Sequence, residues 1–163
     1  MTQSSVGSVL GHRVVPLVAS VIAGVLTAVQ ARINGQLAVE VGNGLEAAVY
    51  SFGSGLVVMT VIVLAVPSIR AGVGRVPQAI RAGELKWWQA LGGVLGGFFV
   101  GVQTAVVPLL GVAVFTVAIV AGQSTNSLVV DRIGLGPAGV QRITPTRIVS
   151  AALAVAAVTV AVS

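Results

Sequence analysis

Residues 47–66 read AAVYSFGSGLVVMTVIVLAV and carry no charged side chain. A run of about 20 such residues is long enough to cross the ~30 Å hydrocarbon core of a bilayer as a helix. Inside that core every backbone N–H and C=O must be paired within the segment, which favours helix over irregular chain. Five predominantly apolar runs are visible, and they predict helices over about 14–38, 45–66, 88–107, 110–130 and 146–162. Charged residues make up only 8% of the chain and hydrophobic ones 56%, whereas a soluble domain carries about 25% charge. A chain so poor in charge cannot keep a large surface in water. The expected fold is therefore an all-α integral membrane protein of five transmembrane helices, a single membrane domain over 1–163 with the lipid bilayer as its first partner.

The connections agree with this reading. Residues 1–13 form a short polar tail. The first apolar run has no convincing cleavage site and is followed by further spans, so it reads as a retained helix rather than a signal peptide. Asn43 and Glu46 have the spacing of a capping box at the start of the second helix, and Pro67 ends that helix. The longest polar loop, 67–86, holds Arg70, Arg75, Arg81, Glu84 and Lys86; its Val and Ala content predicts a short interfacial helix. Trp87 and Trp88 mark the next membrane surface. Pro108 is expected to make a tight turn between the third and fourth helices. Asp131 and Arg132 close the fourth, ahead of the breakers Gly134, Gly136 and Pro137. Five passes put the termini on opposite sides. Arg13, Arg70, Arg75, Arg81, Lys86, Arg132, Arg142 and Arg147 then share the N-terminal side, against Arg32 on the other. Basic residues stay inside, so the N-terminus is expected in the cytoplasm and the C-terminus outside.

Several function classes lack residues. There is no cysteine and one histidine, His12, so neither a thiol nor a histidine metal site is expected, and no cofactor is called for. Nothing resembles a phosphate loop, a paired-carboxylate site or a nucleophile elbow, which argues against an enzyme or an ATP-driven pump. The +5 net charge lies in loops beside spans and reads as a topology signal, not as a nucleic-acid surface.

The polar residues inside the predicted spans are the candidates for function, because polar groups in hydrocarbon usually face a protein interior or a water-filled path. Residues 24–38, GVLTAVQARINGQLA, place Gln30 and Asn34 four apart and so on one helix face. Gln103 and Gln123 are the corresponding amides of the third and fourth helices. These four are expected to line a solute cavity, with interhelical hydrogen bonding as the alternative. Arg32 is either a fifth substrate contact or a rim charge that snorkels to the surface. Glu46 is the carboxylate near the polar end of the first helix; it could couple transport to protons, or it could serve only as a cap. Gly93, Gly97 and Gly101 form a small-xxx-small stripe suited to close helix packing. A weak internal echo links GVLTAVQ, ending at Gln30, with GFFVGVQ, ending at Gln103, and would set the two amides at matching depth.

Four segments together carry a family resemblance: VQARINGQLA, AAVYSFGSG, GGVLGGFFVGVQTAVVPLLG and AGQSTNSLVVDRIGLG. In order and spacing they resemble the YdcZ-like branch of the drug/metabolite transporter superfamily. The resemblance implies a bacterial inner-membrane protein of five spans, equal to half of a ten-span transporter. It also implies a dimer, either of like chains or with an oppositely oriented paralogue. The small multidrug exporters of that superfamily use a glutamate in the middle of helix 1, and residues 24–30 here have no acid. The expected function is secondary transport of a small solute; a non-transporting subunit that packs through its glycines is the rival.

Overall fold

The computed structural model describes residues 3–136 and 139–163. They form α1 (Gln3–Val41), α2 (Gly44–Ala65), α3 (Pro67–Arg81), α4 (Gly92–Ile133) and α5 (Pro145–Val162), with a 3-10 turn over Trp87–Leu91 before α4. No strand occurs among the described residues. Four stretches are long and apolar enough to cross a membrane: Val14–Val41, Gly44–Ala65, Trp87–Ile133 and Pro145–Val162. The short polar tail is helical from Gln3 onward and continuous with the first span. The side chains of His12 and Arg13, and the breaker Pro137, lie outside the described residues.

Local chemistry explains the boundaries. Asn43 is the N-cap of α2; its Oδ1 accepts from the Leu45 N–H at 2.9 Å, meeting one of the orphan donors of the first turn. Its Nδ2 donates to Glu46 at 3.3 Å. The pair thus caps the helix, by a side-chain bond to Glu46 rather than the reciprocal backbone bonds of a capping box. Val66 is extended ahead of Pro67 (φ −108°, ψ 103°), as a residue before proline prefers, so α2 stops there and Pro67 starts α3. Gly83, at φ +74°, ends α3. Gly134, at φ +72°, ends α4, and the Leu135 N–H reaches back to the Val130 carbonyl, a Schellman closure.

The expected turn at Pro108 lies elsewhere. Pro108 sits within helical backbone, and the non-helical residue is Gly111, at φ 76° and ψ 161°. Proline removes its own N–H and crowds the carbonyl four residues back, but its φ suits a helix. The backbone can leave the helical region only where positive φ is cheap, and Gly111 is the next glycine.

The chain divides into two compact units, one of Met1–Arg32 with Leu110–Ser163 and one of Ile33–Leu109. The buried positions of the first include Ala31, Phe115, Ala121 and Ala151; those of the second include Asn34, Ala38, Ala47, Ala48, Val100, Gln103, Thr104 and Val107. Small residues and amides are inside, while Leu56, Val57, Val58 and Met59 of α2 are all exposed. A soluble domain does the reverse. In lipid this is the stable arrangement, because hydrocarbon solvates leucine as well as a protein core does and helices associate through close packing and hydrogen bonds.

Candidate functional site

In the second unit, Asn34 of α1 and Gln103 of α4 meet. Nδ2 of Asn34 donates to Oε1 of Gln103 at 2.8 Å, and both residues are buried. Two glycines permit the approach. A Cβ on Gly35 would lie 2.5 Å from Cγ1 of Val107, and one on Gly44 would lie 3.3 Å from the Ala105 nitrogen and the Thr104 carbonyl carbon. Thr104 is also buried and returns its hydroxyl to the Gly101 carbonyl at 2.9 Å. Nε2 of Gln103 is buried with no hydrogen-bond partner among the described residues. Most buried polar groups are satisfied, so this donor marks a place where a further acceptor would be favoured.

In the first unit, α1 and α4 line an open cavity of about 330 Å³, with Ser20, Gly24 and Gln123 among its exposed residues. Its α1 wall is a stripe of small residues, Ser20, Gly24, Thr27 and Ala31; its α4 wall includes Phe115, Thr116, Ile119 and Gln123. The hydroxyls of Ser20, Thr27 and Thr116 each donate to a carbonyl four residues back in their own helix. They offer the cavity lone pairs rather than protons. Among the described residues, Gln123 is the one lining side chain with N–H donors, and no charged residue lines the space. Such a wall suits an uncharged, partly apolar solute with at least one acceptor. A smaller hollow of about 200 Å³ between α4 and α5 is lined by Ser124, Ser127, Thr146, Arg147 and Ser150. Beside it Arg147 pairs with Asp131, tying the start of α5 to the end of α4.

The sequence candidates are thus divided. Gln123 lines the cavity of the first unit, and Gln30 in that unit is exposed. Asn34 and Gln103 bond to each other in the second. Gln30 and Gln103, linked by the internal echo, differ in burial. Arg32 is exposed, and Glu46 is exposed and bonded to Asn43. At Gly93, Gly97 and Gly101 an added Cβ would meet nothing within 4 Å among the described residues. Sequence reasoning passed over Ser20 and Thr27. Their signal was small residues at 20, 24, 27 and 31, the i, i+4, i+7, i+11 spacing of one helix face. Among the described residues no group of three or more His, Cys, Asp or Glu could hold a metal ion.

A family model described as "Putative inner membrane exporter, YdcZ" matches residues 15–160. The chain belongs to the YdcZ family. Neither curated proteins nor solved structures yield a match. A YdcZ chain with these apolar helices is an inner-membrane transporter protein rather than an enzyme. The matched region contains both the cavity of the first unit and the Asn34–Gln103 pair.

Proposed function

We propose that this chain is one half of a secondary transporter that exports a small uncharged solute across the inner membrane, working as a dimer. The observation that carries the reading is the uncharged cavity of about 330 Å³ with Gln123 as its donor. Gln123 bonds a solute acceptor there; within the second unit, the Nε2 of Gln103 is a separate donor that an acceptor would satisfy. Gln30 and Arg32 serve the rim, and Glu46 acts as a cap rather than a coupling group, a role its bond to Asn43 supports.

The topology follows from length and charge. Trp87–Ile133 has 47 residues, about 70 Å of helix at 1.5 Å per residue, more than twice the ~30 Å that one pass requires. Non-helical Gly111 falls near its middle, which favours two passes here and five in all. The basic bias then puts the N-terminus in the cytoplasm and the C-terminus outside. The same bias is too strong for a chain that inserts both ways, so an antiparallel dimer needs an oppositely oriented partner. As half of a ten-helix drug/metabolite-type transporter, the chain would meet that partner through Gly93, Gly97 and Gly101, which have open space before them.

That open stripe also favours the rival, a non-transporting subunit. Flux into vesicles, with and without a co-expressed partner, separates the two. Saturable flux of neutral solutes that Gln123→Leu weakens, with assembly unchanged, supports transport. Absence of flux across a panel of neutral, cationic and anionic solutes, together with glycine variants that only impair assembly, would overturn it.

A further inference from the structure

Helix α3 has no buried residue. Its Ile69, Val73, Val76 and Ile80 recur at i, i+4, i+7 and i+11 and so form one stripe. Ile69, Val73 and Val76 are exposed at 41%, 53% and 37%. Helical spacing sets Arg70 and Arg81 along one flank of this stripe and Arg75 along the other. None of the three arginines has a side-chain hydrogen bond or ion pair among the described residues. Over 67–88 the basic residues are Arg70, Arg75, Arg81 and Lys86, against the single acid Glu84. The 15-residue helix is about 22 Å long, too short to span the ~30 Å core. It is tethered at both ends to membrane stretches: α2 runs into it through Val66, and Trp87 and Trp88, exposed at 68% and 46%, begin the next.

We propose that α3 lies in the plane of the membrane surface and that its arginines hold anionic phospholipid headgroups. A helix with an apolar stripe bordered by cations sinks that stripe into the headgroup boundary and leaves the charges at phosphate level. The long arginine side chains reach from the flanks of the stripe to those phosphates. Guanidinium groups match phosphate oxygens in paired N–H···O geometry. The complement is specific in sign: four cations and one acid at a surface where phosphatidylglycerol is negative and phosphatidylcholine is neutral. This placement requires only that the flanking helices are in the membrane and is independent of any transported solute.

The two tryptophans are the only ones in the chain, and both follow shortly after α3, so fluorescence excited selectively in tryptophan, apart from Tyr50, reports this surface. The full-length protein is reconstituted in phosphatidylcholine vesicles containing a small fixed fraction of bromine-labelled lipid, either phosphatidylglycerol or phosphatidylcholine. Brominated chains quench tryptophan on contact. The labelled phosphatidylglycerol is expected to be enriched around the tryptophans by at least about fivefold, the equivalent of one basic residue at an anionic surface. High salt should reduce that enrichment. The triple variant Arg70→Gln, Arg75→Gln, Arg81→Gln should bring it to about onefold, with quenching by labelled phosphatidylcholine retained, and the corresponding triple Arg→Lys variant should keep it. Arg75→Gln alone, with less effect on folding, should lower it in part. Equal quenching by the two lipids in the wild type, or a preference indifferent to all these variants, would overturn the assignment. So would absence of quenching by either lipid, which would mean that protein covers this surface.

Discussion

Asn34 and Gln103 are 69 positions apart and share a buried 2.8 Å hydrogen bond. The bond itself is worth about 0.6 kcal/mol by the average for interhelical bonds in membranes. An orphaned buried amide costs more, about 1–3 kcal/mol. The second effect wins, so Asn34→Leu is expected to lower stability by about 1–2 kcal/mol, and Asn34→Leu with Gln103→Leu by less than the single change. Unfolding in detergent, followed by steric trapping or thermal denaturation, measures both. A double variant less stable than either single would show that the pair does not act through satisfied amides.

Two glycine substitutions should diverge. Alanine at Gly44 forces a Cβ within 3.3 Å of the backbone at Thr104 and Ala105, where no side chain can rotate away. A loss of about 1–3 kcal/mol is expected from such overpacking. Alanine at Gly97 meets open space and should leave monomer stability level or up to about 1 kcal/mol higher, since glycine is a poor helix former. If the stripe packs against a second chain, Gly97→Ala instead lowers the dimer fraction in crosslinking. Equal monomer stability for the two variants would contradict the close approach at Gly44.

The cavity can be filled without disturbing its wall. Gly24 lines it, and an added Cβ there meets nothing within 4 Å. Gly24→Leu should therefore preserve folding, with helix propensity favouring leucine over glycine by somewhat less than about 1 kcal/mol, while the side chain occupies a large part of the space. Solute flux is expected to fall at least tenfold, the effect of about 1.4 kcal/mol in binding, with expression and melting temperature unchanged. Normal flux from this variant would move the pathway elsewhere.

Gly111 holds a backbone conformation, φ 76° and ψ 161°, that is open essentially to glycine alone. Gly111→Ala should cost about 1–3 kcal/mol, read by thermal denaturation. Gly122→Ala in the same helix has no positive φ and no close neighbour and is the matched control. Equal melting temperatures for the two would mean that position 111 does not need glycine.

The outline of the fold was legible because hydrocarbon allows so few solutions. Residues 45–66 read as a helix and α2 runs Gly44–Ala65, since Asn43 and Pro67 act on their immediate neighbours. The break near Pro108 was legible as a break but not as Gly111, because proline weakens a helix without itself being able to take positive φ. Residues 67–86 read as a loop with a short interfacial helix, and α3 occupies 15 of its positions, the stripe from Ile69 to Ile80 being its signature. At the candidate site, Gln123 stood out as an amide in an apolar run, whereas Ser20 and Thr27 did not, since single hydroxyls in a helix ordinarily bond their own backbone.

The sequence by itself determined that this chain is helical, belongs in a membrane and carries most of its charge outside its long apolar runs, because composition and run length decide those through solvation energy. Tertiary structure decided which polar residues meet. Nothing in the spacing of Asn34 and Gln103 pairs them across 69 positions; Gly35 and Gly44 do so by letting backbones approach. The cavity likewise exists only where the small stripe of α1 faces Phe115 and Gln123. Burial in one chain depends on which faces of its helices come together, and that is set by packing rather than by the residues of any single helix.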